Sequence, residues 1–114
     1  MFDSLIDNFK KDEFSCHSKM LVKNFKTALK NALGIDVRVY IKNSNFPAKE
    51  DVTLASTRSD DFKGSAEEVS FKLSNTVQEV EGLFKSKMGI KIQILDKNNQ
   101  LANNDMTIGA LKRS

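Results

Sequence analysis

The chain has few of the residues that most often build covalent, metal or redox chemistry. Its 114 residues include one cysteine, one histidine, one proline, one tyrosine and no tryptophan. A single cysteine cannot form an internal disulfide, which favours a reducing compartment. Cys16 and His17 are adjacent, so a strand would point them to opposite faces, and two ligands do not complete a zinc set. We expect a buried, inert Cys16 beside a surface His17, with no metal and no cofactor.

Long apolar runs and phosphate-binding loops are also missing. No stretch approaches the roughly 20 apolar residues of a transmembrane helix, and Asp3 and Asp7 fall where a signal peptide needs basic and then apolar residues. The five glycines form no GxGxxG or GxxxxGK pattern. Lysine supplies most of the basic residues and asparagine is frequent. We interpret the chain as a small cytoplasmic protein, bacterial in composition, that is not an enzyme and has no membrane partner.

The most informative feature present is a near-repetition at an offset of 55 residues. The segment 22–46 aligns with 77–101, apolar residue on apolar residue, with Phe46 on Leu101. After a one-residue deletion, 51–54 aligns with 105–108. Two copies are too few for a solenoid, so we expect one domain with pseudo-two-fold symmetry. The expected parts are an N-terminal amphipathic helix (1–12), repeat one (13–56), a connecting loop (57–67) and repeat two (68–111), all within a single domain 1–114.

Each copy predicts a strand, a helix and a second strand that leads into a turn. The first helix is expected over 19–33, and Thr76 with Glu79 forms the capping box of the second. Gly34 and Gly89 follow the helices, where a left-handed residue is common. Because the order is βαββαβ, we predict an α+β two-layer sandwich, a four-stranded sheet with both helices on one face, as in ferredoxin-like domains. The shared core is expected to contain Phe25, Leu29, Leu33, Val80, Phe84 and Met88.

Short motifs of the second copy carry a family resemblance. They are 76–80 (TVQEV), Gly89-Ile90, Gln100-Leu101 and 105–111 (DMTIGAL). Together they resemble the helix-to-C-terminus half of ubiquitin-like, β-grasp proteins. The resemblance implies β-grasp as an alternative fold and a protein-binding module as the function. That fold also requires a hairpin before the helix, and the chain ends in Lys-Arg-Ser where the family's modifiers have a diglycine, so a conjugated modifier is not implied.

Three surfaces are candidates for binding a partner. The first is a lysine stripe on the first helix, spanning roughly 60° at 100° per residue, which suits a nucleic-acid backbone or an acidic protein. The second is the outward face of the strand after Gly34, a basic face with an aromatic ring such as RRM-type sheets use for RNA. The third is one apolar face of the N-terminal helix. Their residues are Lys19, Lys23, Lys26 and Lys30; Arg38, Tyr40 and Lys42; and Phe2, Leu5, Ile6 and Phe9.

From the sequence we expect a non-enzymatic protein-interaction or adaptor module. The alternative is a nucleic-acid-binding accessory protein that uses the lysine stripe. The outward strand face also fits a homodimer interface, and the sequence leaves the oligomeric state open.

Overall fold

Four short strands and three helices lie in the two ranges that the computed structural model describes, 13–64 and 68–114. In chain order they are β1 (Glu13–Cys16), α1 (Val22–Leu33), β2 (Asp36–Tyr40), β3 (Val69–Lys72), α2 (Val77–Met88), β4 (Lys91–Leu95) and α3 (Ile108–Arg113), with a 3-10 turn at Ala55–Thr57. The α+β class expected from the sequence is confirmed. The N-terminal amphipathic helix was expected over residues outside the described ranges.

Helix α2 begins and ends at the residues that the sequence indicates. The Thr76 hydroxyl accepts a hydrogen bond from the Glu79 N–H at 3.1 Å, and the Glu79 carboxylate accepts from the Thr76 N–H at 2.9 Å. This capping box satisfies two backbone donors that would otherwise have no intrahelical partner. At the other end Gly89 adopts φ 69°, and its N–H donates to the Lys85 carbonyl. Both predicted helix signals are therefore confirmed.

Helix α1 begins at Val22, three residues later than expected. Leu21 is extended, with φ −71° and ψ 148°, because it pairs with Thr53 in an antiparallel bridge. The Val22 N–H then donates to the Val52 carbonyl at 2.8 Å, so the preceding segment belongs to a turn and not to the helix. Lys19 lies in that turn. This pairing depends on a segment about thirty residues away, which a local pattern cannot reveal.

The strands form two antiparallel pairs, in place of the single four-stranded sheet expected from the sequence. β1 pairs with β3, where Ser15 lies opposite Ser70 and their hydroxyls are 2.8 Å apart. β2 pairs with β4, where Arg38 lies opposite Gln93. Both sheets therefore join the first half of the chain to the second.

After β2 and β4 the chain turns back and pairs with the strand it has just left, through bridges to Pro47 and Leu101. The two turns have the same pattern of backbone hydrogen bonds. In the first turn, the Ile41 N–H donates to the Phe46 carbonyl and the Ala48 N–H donates to the Val39 carbonyl. In the second turn, the Asp96 N–H donates to the Gln100 carbonyl and the Ala102 N–H donates to the Ile94 carbonyl. Phe46 therefore corresponds to Gln100. The predicted alignment of Phe46 with Leu101 is wrong, because the first turn is one residue longer than the second.

The core lies between the helices and the inward faces of the sheets. All six helix residues expected in it are buried, and the rings of Phe25 and Phe84 meet with centroids 5.3 Å apart. Helix α3, whose first turn is capped by the Thr107 hydroxyl, adds Ile108 and Leu111 to this core. One core therefore receives side chains from both halves.

Candidate binding surfaces

Cys16 lies in the hydrophobic core. Its side chain is 1% exposed, and burial raises the pKa of the thiol to about 12, with a smaller contribution from the negative charge of Glu68. His17 is exposed, as expected. Within 13–64 and 68–114, histidine, cysteine and carboxylate side chains nowhere gather in threes that could hold a metal ion. A buried thiol that stays protonated is a poor nucleophile.

The raised pKa of Cys16 predicts a loss of stability at alkaline pH. The folded-state pKa of about 12 lies above the ordinary value of 9.0, so the native state holds its proton where the unfolded state releases it. The contribution is complete below pH 9 and falls as pH rises toward 12, by at most about 1.4 kcal/mol per pH unit. We expect the free energy of unfolding, measured in urea, to decline more steeply over this window in the wild type than in Cys16→Ala. Parallel profiles would show that the thiol ionises equally in both states.

The lysine stripe is only partly available for binding. Lys26 forms an ion pair with Glu50 at 2.7 Å, and Lys30 forms one with Asp36 at 3.2 Å. Lys19 lies outside the helix, so Lys23 is the member that remains exposed on α1 without an ion pair in the described chain. Although α1 itself contains no acidic residue, carboxylates from neighbouring segments reach its lysines. These pairs add little stability at the surface, but they cancel local positive charge.

The sheet-face candidates do not form one binding face. Tyr40 is 8% exposed, and its hydroxyl donates to Gln93 Oε1 at 2.6 Å. The ammonium of Lys91 lies 5.0 Å from the centre of the Tyr40 ring, where a stacked base would have to sit. Lys42 lies in the turn after β2, with φ 50°. Of the three candidates, only Arg38 is exposed on the strand itself.

The partner-anchor candidates Phe2, Leu5, Ile6 and Phe9 lie outside the described residues. Among those the structure does describe, three large apolar side chains are exposed, Phe46 at 71%, Leu101 at 54% and Ile41 at 38%. Ile41 and Phe46 are joined across the first turn by the Ile41 N–H to Phe46 carbonyl bond of 3.0 Å. We call this pair the turn anchor. Both residues fall in the predicted first repeat, but no sequence pattern indicates that they are exposed together.

Lys42, the residue that follows Ile41 in the chain, lines an open groove of about 730 Å³. Three cationic side chains and three serines line this groove, which we call the basic groove. They are Ser18, Lys19, Lys42, Ser56, Arg58 and Ser59. Lys19 was expected on the helix stripe and Lys42 on the sheet face, yet the fold brings both to one groove. Arg58, which no sequence pattern singles out, completes it.

Backbone hydrogen bonds hold the walls of the basic groove in place. The Ala55 N–H donates to the Ser18 carbonyl at 2.9 Å, and the Lys42 N–H donates to the Thr57 carbonyl at 2.8 Å. The Ser59 N–H donates to the Gly89 carbonyl at 2.8 Å. Three distant segments, at residues 18, 42 and 89, are thus fixed to the 55–59 segment, which positions the groove before any ligand arrives.

Arg58 is supported from below by an aromatic ring. Its guanidinium carbon lies 5.9 Å from the centre of the Phe62 ring. Phe62 in turn lies against Gly89, so closely that a Cβ built on this glycine would be 2.5 Å from Phe62 Cγ. Gly89 therefore ends helix α2 and also leaves space for the ring beneath Arg58.

The described helices include none that is both long and apolar enough to cross a membrane. Comparison with protein-family models, curated proteins and solved structures found no match to the chain.

Proposed function

We propose that the protein is a non-enzymatic interaction module and that the turn anchor is the part of it that contacts a partner protein. One observation carries the proposal. The two turns have matching backbone hydrogen bonds, but Ile41 and Phe46 correspond to Asp96 and Gln100 in the second turn. Polar residues are therefore compatible with a turn of this kind, and the fold does not require apolar residues at positions 41 and 46.

The exposure of the turn anchor supports this proposal. Single exposed apolar residues are ordinary on protein surfaces, but here two neighbours across one turn are both exposed, and Phe46 is 71% exposed. Burying a phenylalanine against a partner stabilises a complex by about 1.5–3 kcal/mol from the transfer of apolar surface alone. Aromatic and aliphatic anchors of this kind carry much of the energy of many interfaces.

The finer architecture is also a proposal. We propose that the chain is two tandem βαβ-type repeats related by a pseudo-two-fold axis. The axis would pass through both sheets, between the paired residues Ser15 and Ser70 in one and between Arg38 and Gln93 in the other. Two features support this. α1 and α2 are both twelve residues long, and each ends in a glycine with φ 69°. We place this single domain in a reducing cytoplasm, where one buried thiol needs no partner. The β-grasp alternative stays a prediction.

The function is tested by making the first turn resemble the second. We expect the full-length wild-type protein to capture a specific partner from an extract of the cells that produce it, and the double variant Ile41→Asp/Phe46→Gln to lose at least about 90% of that capture, which corresponds to more than about 1.4 kcal/mol. Leu101→Gln is the matched control, because it removes another exposed apolar side chain far along the sequence. Thermal unfolding should show the same midpoint for all three proteins.

Nuclease treatment of the extract separates this function from the nucleic-acid alternative. A partner that remains after nuclease and depends on the turn anchor supports the module. Equal capture by the double variant would contradict it. Capture that disappears with nuclease would instead favour the accessory protein that binds nucleic acid.

A further inference from the structure

We propose that the basic groove binds a carboxylate-rich linear segment of the partner protein while the turn anchor holds an apolar residue of the same segment. This inference rests on the proposed function, since it names the chemistry of the partner. The groove and the anchor are contiguous along the chain, because Lys42 directly follows Ile41 and lines the groove. A partner segment that contacts both the turn anchor and the basic groove would need an apolar side chain for the first and acidic side chains for the second.

The charge balance of the groove favours an anion. Lys42 forms an ion pair with Asp60 at 3.0 Å, whereas the charges of Lys19 and Arg58 face no carboxylate within ion-pair distance in the described ranges. The Ser59 hydroxyl accepts from the Asp61 N–H at 3.2 Å, which leaves its own proton to donate. The groove therefore offers two uncompensated cations and a hydroxyl donor. Carboxylate oxygens are acceptors without donors and match this set.

Arg58 is the residue best placed to bind a carboxylate. A guanidinium presents parallel N–H donors that match the two oxygens of one carboxylate. The Phe62 ring at 5.9 Å and the backbone bonds of the 55–59 segment restrict the positions that Arg58 can take. A side chain held in this way loses less rotamer freedom on binding. Lys19, on the turn before α1, supplies a second charge on another wall of the groove.

A peptide fits these observations better than a nucleic-acid backbone. Asp60 belongs to the groove and Asp61 neighbours it, and a regular chain of phosphates would pass close to both. Two of the helix lysines that would extend a phosphate track, Lys26 and Lys30, are paired with Glu50 and Asp36. A peptide can place isolated carboxylates beside Lys19 and Arg58 and keep apolar residues elsewhere. The groove thus favours a short acidic segment with an apolar residue.

The test uses the full-length protein and an array of eight-residue peptides in which a leucine and a phenylalanine are moved through a glutamate background. We expect the wild type to bind a subset of these peptides and to show no binding to the same sequences with glutamine in place of glutamate. For the tightest peptide, Lys19→Gln/Arg58→Gln should raise Kd at least about tenfold. Lys97→Gln/Lys112→Gln removes equal charge from the second half, at residues that do not line the groove, and should leave Kd within about twofold.

Other outcomes overturn the inference. They are the absence of binding to any acidic peptide, equal Kd for the two charge variants, and tighter binding of a single-stranded oligonucleotide that competes at the same site. If these occur while the turn-anchor variant still loses its partner, the acidic segment is refuted and the interaction module stands. If the peptides bind through Lys19 and Arg58 but the turn-anchor variant captures its partner normally, the groove binds acids and the proposed anchor fails.

Discussion

Phe84→Ala should lower the free energy of unfolding by about 3–5 kcal/mol, as large-to-small changes of buried aromatic residues do. The Phe84 side chain is fully buried and its ring meets that of Phe25, so alanine leaves a cavity in the one core shared by both halves. Single domains are stable by only about 5–15 kcal/mol. The measurement is urea unfolding followed by circular dichroism, compared at equal m-value.

Phe46→Ala is the matched control for this change, because it removes the same atoms from a side chain that is 71% exposed. Its effect should stay within about 0.5 kcal/mol. Leu29→Ala, at the position that the repeat aligns with Phe84, should cost about 2–5 kcal/mol. A loss below 1 kcal/mol for Phe84→Ala, or equal losses for Phe84→Ala and Phe46→Ala, would contradict the shared core.

Gly89→Ala should destabilise the protein more than Gly34→Ala, although both glycines end helices at φ 69°. The left-handed backbone costs either alanine about 1–2 kcal/mol. A Cβ at position 34 meets nothing within 4 Å, whereas one at position 89 would lie 2.5 Å from Phe62 Cγ and 2.6 Å from Phe62 Cβ. Atoms so near the backbone cannot swing aside, and overpacking of this kind adds about 1–3 kcal/mol. Thermal or urea unfolding of the two variants measures the difference.

A second substitution at position 62 isolates the steric part of the Gly89 effect. Phe62→Gly removes the three atoms that would lie nearest to the new methyl group. In the Phe62→Gly background, Gly89→Ala and Gly34→Ala should therefore cost the same within about 0.5 kcal/mol. If the excess persists in that background, the clash is not its cause. Because Phe62 also supports Arg58, Gly89→Ala should weaken acidic-peptide binding while Gly34→Ala does not.

The sequence was sufficient where the determining contacts are local. The capping box of Thr76 and Glu79, the glycines after both helices and the alternating burial over 37–39 and 92–94 all involve residues a few positions apart. Burial of the six helix residues followed from the same helical periodicity. These features could be predicted because the backbone geometry of a helix end or a strand requires particular residue types at fixed spacing.

The sequence was insufficient where the contacts are distant. Strands with similar alternation fit several pairings equally well, so nothing local selected β1 with β3 and β2 with β4. The late start of α1 depends on Thr53, and the burial of Tyr40 depends on Gln93 and Lys91 across the sheet. The basic groove likewise collects Lys19, Lys42 and Arg58 through backbone bonds between separate loops.

The pairing of strands across the two halves has a consequence for synthesis on the ribosome. β1 cannot complete its sheet until residue 72 has emerged, and β2 must wait for residue 95. At ~5–20 residues per second, each early strand remains an unpaired edge for roughly 3–11 s. Exposed edges of this kind favour association with other chains. The nascent first half therefore depends on its lysines and its polar outer strand residues to stay separate until the second half arrives.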